Sequence, residues 1–185
     1  EDNPEVIEAK RQQIPVQKRP TWLGHMMTNK RGIAIAGTHG KTTTTAMMAL
    51  VLTQANLSPT YIIGGFCPQL NTNAAAGQSD LFVIEADEYD HTFLSLKPEL
   101  GVITNIEWDH PDIYPAEASY HQAFSDFSAL IPAHGKCILC GDDYGVKRLL
   151  PQIPTAITYG LGDTNLWLAV NLQVNAVGSY DFDVQ

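Results

Sequence analysis

Gly37-Thr38-His39-Gly40-Lys41-Thr42 brings together the residue types that grip a phosphate chain. Glycines let backbone N–H groups close around phosphate oxygens. A helix N-terminus behind them adds positive potential. In such a loop Lys41 reaches the β- and γ-phosphates, and the Thr42 hydroxyl ligates Mg2+. The strict phosphate-loop pattern has a glycine six residues before the lysine; Ile35 stands there, so this loop is two residues shorter than that consensus. Thr43, Thr44 and Thr45 continue the run. They suit capping and packing of a first helical turn, and Thr43 is a further candidate nucleotide contact.

Two more groups carry chemistry. Glu85-Ala86-Asp87-Glu88-Tyr89-Asp90 puts four carboxylates in six residues, after an apolar run. Crowded like charges raise one another's pKa unless a cation lies among them. Mg2+ takes oxygen ligands, keeps several waters and uses only one or two carboxylates. Glu85, the first acid past the apolar run, is therefore the expected ligand, with Glu88 and Asp90 expected on a solvated loop. Thr104-Asn105-Ile106-Glu107-Trp108-Asp109-His110-Pro111-Asp112 is the third group. A neutral His110 imidazole can ligate a metal, oriented by Asp109 or Asp112. Asn105 offers a donor and an acceptor to a polar substrate. By spacing alone, a surface or capped role for His110 stays open. His25, His91, His121 and His134 have no pattern around them and are assigned no role.

The elements that must position these groups alternate. Gly32–Ala36 reads as a buried strand and Lys41 to about Asn56 as a helix, apolar at Met47, Leu50 and Val51. Strands are expected at Tyr61–Ile63 (closed by Gly64-Gly65), Leu81–Ile84, Gly101–Thr104, Cys137–Leu139 and Thr155–Tyr159. Helices are expected around Tyr120–Ile131 and Asp143–Leu150. Two more precede them: Asn3 to about Gln13, with Asn3 as N-cap, and Thr21–Thr28, with Trp22, Met26 and Met27 inward. This alternation means an α/β fold, a doubly wound, mostly parallel sheet. Its ligands sit at the carboxyl ends of strands, where Gly37, Glu85 and Asn105 all fall. Leu166–Val177 and Tyr180–Val184 read as a short antiparallel region around Gly178-Ser179.

Composition removes other classes. The 185 residues carry 11 basic and 20 acidic side chains, a net charge of −9, which is wrong for wrapping duplex DNA. The apolar share of 44% fits a globular chain, and no apolar run is long enough for a membrane-spanning helix. The three cysteines form no disulfide framework, which points to reduced thiols and a cytoplasmic home. Cys137 and Cys140 have CxxC spacing but lack a second pair at zinc-site distance, so they read as structural. The first residues, Glu1-Asp2-Asn3-Pro4, and the last, inside an apparent strand, read as cut ends of a longer protein.

The three groups, in this order and spacing, resemble the central ATP-binding domain of the Mur ligases, over roughly residues 3 to 185. The likeness is greatest to the family members that join L-alanine to UDP-N-acetylmuramate. The resemblance implies a bacterial, cytoplasmic enzyme of peptidoglycan precursor synthesis that uses ATP and two Mg2+ ions. Residues 1–30 would then be the end of an N-terminal UDP-binding domain and its linker. Residues 31–185 would be the central domain, stopping before its end, with the C-terminal domain absent, and the chain alone is expected to be inactive. By position, the resemblance implies that Gly37, Thr38, His39, Gly40, Lys41, Thr42 and Thr43 bind nucleotide. Lys41, Glu85 and His110 are then catalytic, Thr42, Glu85 and His110 hold metal, and His39, Asn105 and His110 meet the muramoyl substrate. Tyr89 departs from the serine common in the alanine-adding members and resembles those that attach a recycled tripeptide. A phosphate-loop module without ligase chemistry is the alternative; it has no need of the His110 segment.

Overall fold

The computed structural model describes residues 2–185. Two short helices come first, α1 (Pro4–Arg11) and α2 (Arg19–Met26). The alternating part follows as β1 (Arg31–Ala36), α3 (Lys41–Gln54), β2 (Thr60–Cys67), β3 (Thr72–Ala75), β4 (Leu81–Glu85) and β5 (Leu100–Ile103). It continues through α4 (Glu117–Ala129), β6 (Lys136–Cys140), α5 (Tyr144–Leu149) and β7 (Ile157–Gly160), and closes with β8 (Trp167–Val174) and β9 (Tyr180–Val184). No helix among the described residues is long and apolar enough to cross a membrane.

The strands form one sheet in the order β3-β2-β4-β1-β5-β6-β7-β8-β9. It is parallel from β2 to β8, and antiparallel at both edges, where β3 pairs with β2 and β9 with β8. The expected antiparallel region near the C-terminal end is this last hairpin. The β3 edge was not foreseen, because Gly64-Gly65 reads as a stop. The strand instead runs through both glycines to Cys67 before turning back.

β1 is the pivot. It pairs with β4 on one side and β5 on the other, with Ile35 beside Glu85 and Ala36 beside Ile103. Its side chains alternate between two cores. Ile33 and Ile35 face α3 with Val83, Val102, Tyr61 and Ile63. Ala34 and Ala36 face the other side, where the small methyls leave room for Phe93, Tyr114, Tyr120, Phe124 and Phe127. Phe93 lies flat on Phe127, with ring centroids 5.0 Å apart, and edge-on to Phe124 at 5.4 Å.

Three details of the helices are local chemistry. Asn3 caps α1, its side chain accepting from the Glu5 N–H at 2.9 Å. Asp143 caps α5 in the same way and also ties it to the segment after β5. Its Oδ1 accepts from the N–H groups of Val146 at 2.8 Å and Ile106 at 3.0 Å. The inward faces of α2 and α3 differ from expectation. In α2, Leu23 and Gly24 are buried, with Met27 just beyond, while Trp22 and Met26 are exposed. In α3, Thr45 and Ala49 are buried and Met47 and Val51 face out. Both helices approach their neighbours closely, so small residues occupy the contact: a Cβ on Gly24 would lie 2.1 Å from the Ser95 carbonyl oxygen.

Candidate functional site

The register of β4, β1 and β5 brings the ends of three strands abreast. The N–H of Ala86 donates to Ile35 O, and that of Thr104 to Ala36 O, so all three chains leave the sheet together. Here the strand order turns, with β2 and β4 on one side of β1 and β5 on the other. Open parallel sheets form their ligand crevice at such a point.

The loop after β1 is shaped by its two glycines. Gly37 has φ +131°, and a Cβ there would meet Thr104 Oγ1 at 2.0 Å; Gly40, at φ +81°, stands at the N-cap of α3. No side chain caps α3. Its first N–H groups therefore face the loop mouth, the arrangement that receives an anion. The segment after β5 props the loop from the other side. Asn105 accepts from the His39 N–H at 2.8 Å and donates to the His39 carbonyl at 3.0 Å, and Thr104 Oγ1 donates to that carbonyl at 2.6 Å. The Thr38 hydroxyl meets the Glu107 backbone and, at 2.9 Å, the Tyr120 hydroxyl. The His39 ring is exposed and lies 3.3 Å from Glu107.

Thr42 and Glu85 are brought together as expected for a shared cation: Thr42 Oγ1 donates to Glu85 Oε1 at 3.0 Å. The second carboxylate oxygen accepts from the Gly64 N–H at 2.7 Å. That contact requires glycine, since a Cβ on residue 64 would lie 2.4 Å from Glu85 Oε2. A hydroxyl and one carboxylate beside the start of a helix that no side chain caps suit Mg2+, whose other ligands come from water and phosphate. Among the described residues no three His, Cys, Asp or Glu side chains are grouped to hold a metal by themselves. The side chain of Thr43 is exposed at the start of α3, and Thr45 is buried, its hydroxyl donating to Lys41 O at 2.8 Å.

Glu88 overturns its expected place. It is fully buried, while Asp90 is exposed as expected. Glu88 Oε1 accepts from Lys41 Nζ at 3.0 Å and from the Tyr120 hydroxyl at 3.2 Å, and its backbone oxygen accepts from the Tyr114 hydroxyl at 2.5 Å. Its Oε2 is 2.8 Å from the same ammonium but has no hydrogen-bond partner. Burial is the main cause that holds both phenols in their neutral form. It pushes Tyr114 up to about 12 and raises Tyr120 too, each with Glu88 adding to the effect. His110, at φ +54°, turns its Nε2 to within 3.7 Å of Glu88 Oε1. Glu88 is therefore the nearest carboxylate to the His110 imidazole. Asp109 receives the His110 N–H and stands 3.9 Å from Nε2, and Asp112 accepts from the Tyr89 hydroxyl instead. The Tyr89 ring packs edge-on to His110 at 5.1 Å. A cleft of about 220 Å3 opens beside Glu85, lined by Arg19, Ile62, Gly64, Asp87 and Thr92 among others.

The CxxC pair forms no disulfide: Cys137 is buried in the core and Cys140 half-buried, both as free thiols. Two of the unassigned histidines have structural neighbours. His91 packs on Tyr114 and His121 stands by Glu117 and Arg148.

The phosphate loop, the hydroxyl–carboxylate pair and the Asn–His segment thus stand together on three adjacent strand ends. Residues 35–184 match the model of the Mur ligase middle domain. The chain belongs to the Mur ligase family. Among curated Mur ligases it is 48% identical to the UDP-N-acetylmuramate–L-alanine ligase of Leptothrix cholodnii, over all of this chain and 40% of that protein. It is 44% identical to the enzyme of the same name from Frankia alni, over 93% of this chain and 31% of that one. The chain thus spans two fifths or less of these relatives. Among solved Mur ligases, the UDP-N-acetylmuramate:L-alanyl-γ-D-glutamyl-meso-diaminopimelate ligase of Neisseria meningitidis superposes with a TM-score of 0.83 at 28% identity, covering 100% of this chain and 62% of that one. The UDP-N-acetylmuramate–alanine ligase of Thermotoga maritima gives 0.77 at 28%, over 94% of this chain and 39% of that one.

Proposed function

We propose that this chain is the nucleotide-binding part of an ATP-dependent ligase that joins L-alanine to the carboxylate of UDP-N-acetylmuramate. The loop at Gly37–Thr42 receives the β- and γ-phosphates, its N–H groups and the start of α3 supplying positive potential. Lys41 meets the γ-phosphate. Thr42 and Glu85 hold the Mg2+ that travels with ATP, and Gly64 fixes the angle of that carboxylate. A bound magnesium ion neutralises charge as the phosphoryl group moves. His110 is the candidate ligand for a second ion, and His39 and Asn105 are candidate contacts to the muramoyl part. These roles follow from position in the site and from the Mur ligase resemblance.

The chemistry is two displacements. A substrate carboxylate oxygen bonds to the γ-phosphorus and ADP leaves. The alanine amine then attacks the carbonyl carbon of the acyl phosphate, phosphate departs with the C–O electron pair, and the amine gives up a proton. Positioning and charge neutralisation do most of this work, because two anions must meet. The observation that carries the reading is the Thr42–Glu85 contact at the head of α3, with Lys41 beside it. The alanine-adding assignment is supported by the relatives at 44–48% identity.

The test follows phosphate release by the complete enzyme with Mg-ATP and UDP-N-acetylmuramate. One arm adds L-alanine and the other L-Ala-γ-D-Glu-diaminopimelate. Release with L-alanine only, abolished by Lys41→Ala, is the expected result. Release with the tripeptide only would reassign the substrate and make Tyr89 its marker. Silence in both arms would remove the muramate reading.

A further inference from the structure

Lys41 has no hydrogen to spare for a phosphate. Its ammonium carries three. They go to Gly37 O at 2.7 Å, Thr38 O at 3.2 Å and Glu88 Oε1 at 3.0 Å. Its partner cannot follow it. Glu88 is fully buried, held at its carboxylate by Tyr120 and at its backbone by Tyr114. The two tyrosines are themselves packed edge to face, with ring centroids 4.9 Å apart. The remaining oxygen, Oε2, has only the ammonium 2.8 Å away to balance it.

We propose that Glu88 is a positioning residue which parks the Lys41 ammonium against the loop carbonyls, so that an incoming polyphosphate must draw the lysine away from a fixed, buried carboxylate. The inference rests on the nucleotide reading above and goes beyond it. Affinity for the nucleotide becomes a difference between two anions competing for one cation. A buried carboxylate that loses its cation is costly. The exchange therefore holds nucleotide affinity below what the loop alone would give. Once the lysine has gone, the Tyr120 hydroxyl still donates to Glu88, and the His110 Nε2 lies 3.7 Å from the same oxygen.

The experiment is calorimetric titration of ATP into the complete protein with Mg2+ chelated, so that only the loop and Lys41 hold the phosphates. Glu88→Gln is expected to bind about tenfold more tightly than wild type, the scale of one charged hydrogen bond no longer surrendered. Glu88→Asp withdraws the carboxylate by one carbon and is expected to fall between the two, which keeps the test alive if the glutamine variant does not fold. Lys41→Met weakens binding, and adding Glu88→Gln to it is expected to gain nothing. Unchanged or weaker binding by the folded Glu88 variants overturns the proposal. So does a gain that persists without Lys41, since removing a negative charge from the site would then explain it. A wild type that binds no ATP at all fails earlier, at the nucleotide reading itself.

Discussion

At the scale of single residues, the site depends on one glycine outside the phosphate loop. Gly64 gives its N–H to Glu85 Oε2 and leaves no room for a side chain beside it. Gly64→Ala is expected to push the Glu85 carboxylate off Thr42 and raise the Mg2+ concentration needed for half-maximal ATP binding roughly tenfold, the usual effect of losing an outer partner of a metal ligand. A magnesium titration of ATP binding checks this. Glu85, Thr42 and Lys41 were legible because their types and order carry the chemistry. Gly64 was not, since two adjacent glycines read as a strand stop. Glu88 was misread as solvated for a similar reason. An acid in a run of acids has no mark of burial until Tyr114 and Tyr120, from later in the chain, close over it.

At the scale of elements, α5 does more than follow β6. Its cap, Asp143, holds the Ile106 N–H as well as its own first turn. The stretch that carries Asn105 and His110 is therefore tied to a helix beyond it in the chain. Asp143→Ala is expected to cost about 1–2 kcal/mol in urea unfolding and to speed hydrogen exchange at the Ile106 amide, a local effect that NMR resolves. Element order was readable from periodicity, but the inward faces of α2 and α3 were not. A search for large apolar residues finds Met47, Val51 and Trp22, which are exposed. Helices that lie close against a neighbour bury Ala49, Thr45 and Gly24 instead, and small residues leave little trace in a hydrophobic pattern.

At the scale of the whole molecule, the aromatic core sets a limit in alkali. Burial raises Tyr114 from 10.0 to about 12, Tyr159 likewise, and Cys137 from 9.0 to about 12. The folded protein keeps protons that the unfolded chain releases, so stability is intact below about pH 9 and falls as pH rises toward 12. Urea midpoints measured from pH 8 upward should decline across that window, with phenolate absorbance of the buried tyrosines appearing only on unfolding; flat midpoints would contradict it. The parallel sheet and its crevice were legible as alternating strands and helices. The edge strand β3 was not, being short and mostly exposed. The placement of β1 also bears on synthesis. Both its neighbours come much later in the chain, since Arg31 pairs with Leu81 and Ala36 with Ile103. As the polypeptide leaves the ribosome, Gly32-Ile33-Ala34-Ile35-Ala36 emerges as an apolar strand with both edges bare. It is the kind of segment that recruits chaperones or pairs with the wrong partner. The ribosome must deliver both β4 and β5 before the phosphate loop has its two walls, so the proposed nucleotide site is complete only after that point in translation.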